Sequence, residues 1–264
     1  ITSAPAKHLS VLCNQMVNFL GIMQNEWAGA QAFSSFDTYL APFVKADHLT
    51  YPEVKKCIEA FIYGVNTPSR WGTQAPFSNI TLDWTVPDDL AELPAIVGGK
   101  EMDFKYKDCK KEMDMVNKAF IETMIEGDAN GRGFQYPIPT YSITKEFDWS
   151  DTENNRLLFE MTSKYGTPYF SNYINSDMQP SDVRSMCCRL RLDLRELRKK
   201  TGGYFGSGES TGSVGVVTIN MPRIAYLAQD EEEFYERLDR LMDISARSLH
   251  IKREVIGKLL DEGL

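Results

Sequence analysis

Short runs with the pattern of extended strands alternate along this chain with amphipathic stripes of about 10 to 20 residues, and that alternation narrows the fold more than any other feature. Parallel strands need long crossovers, which helices supply, so the pattern predicts an α/β architecture with a largely parallel sheet. In the second half, residues 134–138 and 169–174 read as strands, and a helix over 153–165, closed by Gly166, lies between them. Residues 214–221 read as a buried β-branched strand, and helices return after Pro222, the longest over about 231–260. In the first half Leu9, Leu12, Met16, Phe19, Met23 and Trp27 fall at helical spacing, with Ser3 as N-cap and Pro5 in the first turn. After a loop through Pro42, Thr50-Tyr51-Pro52-Glu53 has the form of a capping box and opens a helix carrying Val54, Cys57, Ile58 and Phe61. A strand over 79–86 follows. The next helix carries Tyr106, Cys109, Met113, Val116, Phe120 and Met124 on one face and stops at the turn residues 127–131. No repeat or linker divides residues 1–264, which are expected to form one segment of a single domain.

Composition removes several classes of function. With 42% hydrophobic and 25% charged residues the chain can bury a core without staples, and its apolar runs are too short and interrupted for a membrane helix. A net charge of −8 repels a phosphate backbone, so no nucleic-acid polymer is expected as partner. The five cysteines, an odd number, read as reduced thiols and a cytoplasmic setting. No Cys-x-x-Cys pair exists and the three histidines lie far apart, so no metal site is expected within the chain. It opens on Ile1 and is expected to be an internal piece of a longer polypeptide.

Three stretches stand out chemically. Arg184-Ser185-Met186-Cys187-Cys188-Arg189-Leu190 sets two adjacent thiols between arginines, which favour the thiolate, in a connection rather than in an amphipathic stripe. Cys13, Cys57 and Cys109, by contrast, fall on helix faces and read as small hydrophobes. The glycine-rich run over 202–215 precedes a strand pattern instead of following one, which rules out a dinucleotide fingerprint and leaves a loop. The loop over 66–79 gathers Arg70, Gln74, Ser78 and Asn79, donors suited to anionic and hydroxylated ligands.

On these stretches the chain resembles the anaerobic, class III ribonucleoside-triphosphate reductases, which are glycyl radical enzymes. The matching motifs run in family order: Pro5-Ala6-Lys7-His8-Leu9, Trp27-Ala28-Gly29-Ala30-Gln31-Ala32-Phe33, Asn66-Thr67-Pro68-Ser69-Arg70-Trp71-Gly72-Thr73-Gln74, Pro137-Ile138-Pro139-Thr140-Tyr141, Met186-Cys187-Cys188-Arg189-Leu190 and Gly212-Ser213-Val214-Gly215-Val216-Val217.

The resemblance implies part of a ten-stranded α/β barrel, made of two five-stranded halves, with a finger loop carrying a reactive cysteine into its centre. Cys188 takes the thiyl role in that comparison. Cys187 stands where family members carry glycine, and it is a second catalytic candidate, in reduction. Arg70, Gln74, Ser78, Asn79 and Ser213 are implied on the side of the ribonucleotide substrate, Gln15 and Lys45 on that of a dNTP or ATP effector. The same resemblance implies a homodimer and a glycyl radical on a C-terminal segment outside this chain. It also implies a radical S-adenosylmethionine, iron–sulfur activase, zinc held in the C-terminal region, and a thioredoxin- or glutaredoxin-like reductant. Two other functions suit the same residues: another glycyl radical enzyme, such as an acyl lyase or dehydratase, and a non-catalytic nucleotide-binding dimerisation module.

Overall fold

The structure, a computed structural model, describes residues 3–26, 31–67, 75–174, 183–185, 191–193 and 215–263. Two compact units divide it, Ile1–Gly208 and Glu209–Leu264. The first runs α1 (Leu9–Glu26), β1 (Gln31–Phe33), α2 (Phe36–Ala46), α3 (Tyr51–Val65), β2 (Ser78–Leu82), α4 (Asp88–Ala91), β3 (Pro94–Val97) and β4 (Lys100–Lys105). A 3-10 turn (Tyr106–Cys109) then leads into α5 (Lys110–Glu126), β5 (Ile138–Ile143), α6 (Glu153–Tyr165), β6 (Tyr169–Asn172), β7 (Val183–Ser185) and β8 (Arg191–Asp193).

The parallel sheet implied by the alternation is present: β1, β2, β5 and β6 lie side by side in that order, and each neighbouring pair is parallel. Helices make the crossovers. Thr50 and Glu53 form the expected capping box, the Glu53 carboxylate accepting the Thr50 amide at 2.8 Å, and α3 buries Val54, Ile58, Phe61, Ile62 and Val65. Met113, Val116, Phe120 and Met124 of α5 are buried as their spacing predicts, and Gly127, at φ 75°, ends the helix. Thr152 caps α6, accepting from the Asn155 amide at 3.2 Å, and Gly166, at φ 66°, closes it. These faces join Ile80, Leu82, Tyr141 and Ile143 of the sheet in one core. Each fully buried Leu, Ile or Phe there contributes about 1.5–3 kcal/mol of burial free energy.

Several expectations are corrected. α1 starts at Leu9, so Ser3 is not its N-cap and Pro5 precedes it. Residues 36–46 are a helix despite Pro42: the proline removes one intrahelical bond, while Phe36, Leu40, Phe43 and Val44 of that helix reach the core. The strand expected over 79–86 ends at Leu82, because Trp84 takes a left-handed φ of 64° that no strand continues. The strand placed at 134–138 is instead β5, whose first residue is Ile138. A hairpin missing from the sequence reading, β3 with β4, turns on Gly98 and Gly99, at φ 63° and 74°.

In the second unit, Asn220 caps α7 (Met221–Leu227) by accepting the Arg223 amide at 3.0 Å, and Pro222 sits in the first turn. Asp230 caps α8 (Glu231–Asp261), whose first turn holds three glutamates against the positive end of the helix dipole. The strand expected over 214–221 does not form: residues 215–220 are irregular, Val216 and Val217 are exposed, and Met221 already begins α7. A β-branched run becomes a strand only where an edge pairs with it, and no described strand does so here.

Candidate active site

Strand periodicity gives the parallel sheet two faces of different chemistry. Phe33, Ile80, Leu82, Tyr141 and Ile143 point to the helices and belong to the apolar core or pack on it. The alternate residues, Ala32, Asn79, Thr81, Ile138, Thr140, Ser142, Tyr169 and Ser171, point the other way. Their register sets Thr81 beside Thr140 and Ser142 beside Ser171. A sheet covered on both faces ordinarily reads as apolar throughout. Here the second face mixes Ala32, Ile138 and Tyr169 with polar residues, of which three are buried, Asn79 being 1% exposed, Thr140 6% and Ser142 8%. Asn79 Oδ1, among these, is buried with no hydrogen-bond partner. Ser78, adjacent to Asn79, shares the helix-facing side with Ile80, and its buried hydroxyl is also unpartnered.

At the exit of β2 lies a second buried polar cluster, unforeseen in the sequence. Asp37, in the first turn of α2, accepts from the amides of Thr38, Asp83 and Trp84 at 3.1, 2.8 and 2.9 Å and from Asn117 Nδ2 at 2.9 Å. Thr38 donates its hydroxyl to Asp83 at 2.6 Å, and Tyr141 donates to Asn117 Oδ1 at 3.0 Å. Burial pushes both carboxyls up, and the Asp37 charge adds to the effect on Asp83, which rises to about 7. The four donors on Asp37 pull its value back, which marks it as the ionised member and Asp83 as the one that holds a proton near neutrality. This cluster ties α2, α5, β2 and β5 together beside the polar face.

The remaining sequence-predicted residues separate into two groups. Arg70, Gln74, Cys187, Cys188 and Ser213 lie outside the described residues. The strands on either side of the two cysteines in the chain are described: β7 and β8 pair antiparallel, with Ser185 opposite Arg191. Gln15 donates to the Ala4 carbonyl at 3.0 Å on α1. Lys45, at the end of α2, donates to the Asp108 carbonyl at 2.9 Å and lines a cavity of about 510 Å³ with His48, Lys111 and Glu112. No hydrogen bond or ion pair joins Gln15 to Lys45 among the described residues. Cys13 and Cys109 are buried free thiols, as their helix faces predict, and burial pushes Cys109 up to about 11. Among the described residues no cluster of His, Cys, Asp or Glu could hold a metal ion, and no helix is long and apolar enough to cross a membrane.

Residues 1–264, the whole chain, match the family of the anaerobic ribonucleoside-triphosphate reductases. The chain belongs to that family. The anaerobic ribonucleoside-triphosphate reductase of Haemophilus influenzae is 27% identical to it over 141 residues, which is 51% of this chain and 19% of that relative. Among solved structures, the anaerobic ribonucleotide reductase from Thermotoga maritima with glycerol in its active site matches the whole chain at 22% identity and a TM-score of 0.66. The same enzyme in complex with dATP and CTP matches at 19% identity and a TM-score of 0.63. Such identities establish a shared fold. The chain spans 43% of the length of each of those two structures, so it corresponds to part of the longer fold that they have.

Proposed function

We propose that this chain is the finger-bearing part of a ten-stranded barrel that reduces ribonucleotides, with triphosphates as substrates, to 2′-deoxyribonucleotides under anaerobic conditions. The observation that carries the reading is the β7–β8 pairing, which brackets residues 186–190 and with them both cysteines of the Met-Cys-Cys-Arg motif. A strand pair is a rigid mount, and a reactive sulfur needs one to stay near contact distance of its substrate. The family's glycyl radical supplies a one-electron acceptor for the hydrogen of the Cys188 thiol.

Cys188, as the thiyl, takes the hydrogen from the ribose 3′ carbon; an S–H bond forms as that C–H bond breaks. The 2′ hydroxyl then leaves as water. Two electrons and two protons complete the reduction, drawn from Cys187 with a further reductant, and Cys188 returns its hydrogen to the 3′ carbon. Arg70 suits the triphosphate by charge, while Gln74, Asn79 and Ser213 suit neutral groups of the nucleotide. Ser78, on the helix side of β2, supports the strand behind Asn79. Gln15 and Lys45 serve a dNTP effector, and the exposed residues of α1 serve a homodimer. No described residues fit the family's zinc, and no step here uses it.

The test is anaerobic incubation of the full-length polypeptide, activated by its radical S-adenosylmethionine partner, with CTP and a reductant. Formation of dCTP is the expected result. Activation that yields no dCTP, with carbon–carbon cleavage or dehydration of another substrate instead, would move the chain to a different glycyl radical chemistry.

A further inference from the structure

We infer that Cys13 of α1 and Cys57 of α3 form a redox-sensitive clasp, a dithiol site at which a small neutral disulfide oxidises both thiols to a cross-link between the two helices. The inference gives a role to two thiols whose helix faces read as small hydrophobes, and it does not depend on the ribonucleotide reading.

Three observations lead there. Facing stripes of α1 and α3 enclose a cavity of about 540 Å³, and both cysteines line it. Val17, Ala60 and Gly64 line it too, so much of its wall is small and apolar and suits an uncharged reagent. The helices also approach closely: a Cβ at Gly64 would come within 2.8 Å of a Val17 methyl. Cys13 lies one turn before Val17 and Cys57 about two turns before Gly64, so both stand on the N-terminal side of that contact. Finally, the two thiols lie within electrostatic reach of each other, since burial first and Cys57 second push the Cys13 thiol up. Burial, and then Glu53 and Asp47, raise Cys57 as well, which keeps both groups protonated and reduced at neutral pH. Cys109, the other free thiol among the described residues, packs elsewhere with Ala41 and Met113.

Unequal access sets the order of events. Cys13 is 2% exposed, whereas Cys57 is half-buried. Cys57 gives up its proton and attacks one sulfur of the reagent; the reagent's S–S bond breaks and one half leaves as a thiolate. Cys13 then gives up its proton and attacks the Cys57 sulfur of the mixed disulfide, releasing the second half. Two thiols are oxidised, one disulfide is reduced, and the departing thiolates take up the two protons.

The test treats full-length, native protein under anaerobic conditions with bis(hydroxyethyl) disulfide and maps the cysteine peptides by mass spectrometry without reduction. Wild type should yield a Cys13–Cys57 cross-linked peptide that dithiothreitol reverses. Cys13→Ala should instead carry one hydroxyethylthio adduct on Cys57, and in Cys57→Ala the Cys13 thiol should stay unmodified. A Cys57 adduct that accumulates in wild type without the cross-link would overturn the inference, because the sulfurs would then lie out of reach of each other. So would a Cys57 that reacts only after the protein is unfolded in urea, because the cavity would then admit no disulfide.

Discussion

Asp37 on α2 accepts the backbone amide of Asp83 at 2.8 Å, and Thr38, one residue on, donates its hydroxyl to the Asp83 carboxylate at 2.6 Å. One helix turn therefore closes the exit of β2 through two carboxyls that cannot both ionise cheaply in a buried setting. The arrangement also holds Trp84 in its left-handed conformation, where its ring stacks on Phe147 at 5.6 Å.

This pair makes stability depend on pH. Asp83 is raised to about 7, so the folded state binds its proton more tightly than the unfolded chain does. The Asp83 contribution is fully present below the unfolded carboxyl value of about 4 and is lost as pH rises through about 7. The thermal midpoint of wild type should therefore fall more steeply from pH 5 to 8 than that of Asp83→Asn, which has no proton to lose. Parallel midpoint profiles for the two proteins would show that Asp83 does not hold the proton.

The apolar stripe of α1 divides differently from its sequence reading. Met16 is buried in the core, whereas Val11, Phe19 and Ile22 are exposed. A charge at Ile22 should favour monomers while leaving the fold intact, and Met16→Glu should instead destabilise by about 3 kcal/mol or more, because it buries an unpaired charge. Light scattering and thermal melts on the full-length protein check both. A dimer unaffected by Ile22→Glu would remove α1 from the interface.

Lys45 faces a cavity it shares with Glu112, whose Oε2 has no partner among the described residues. If an effector nucleotide is held there, Lys45→Ala should weaken dATP binding about tenfold, the scale of one charge-assisted hydrogen bond. Equilibrium dialysis with dATP reads this directly. Unchanged binding would exclude Lys45 from the effector site.

What the sequence made legible follows from how local the signals are. The capping box at Thr50, the α5 stripe and the glycine at 166 act within one or two helical turns, and each was found where expected. Helix α2 was missed because the residues through Pro42 were read as a loop, although burial of its face outweighs one lost bond. The Gly98-Gly99 turn carried a legible hairpin signal that the reading passed over. Asn79 drew notice as part of a motif, but Thr140 and Ser142 gain meaning only once register puts them on one face with it, and Asp37 and Asp83 are 46 positions apart with no local pattern to link them.

Cys187 separates two sources of electrons. If it serves in reduction, Cys187→Gly should impair turnover driven by a dithiol protein while leaving CTP binding near wild type. Multiple-turnover assays with formate or a dithiol protein as sole reductant distinguish the routes. Full activity of Cys187→Gly with the dithiol protein would leave Cys187 without a redox role.

The most direct test of the whole account falls on Cys188. Full-length Cys188→Ala, activated anaerobically, is followed by electron paramagnetic resonance for the glycyl radical and by product analysis for dCTP. The account predicts a radical signal at the wild-type level and no detectable dCTP, because the radical is made elsewhere and only its transfer to substrate needs this sulfur. Turnover of CTP by the Cys188→Ala protein would contradict it.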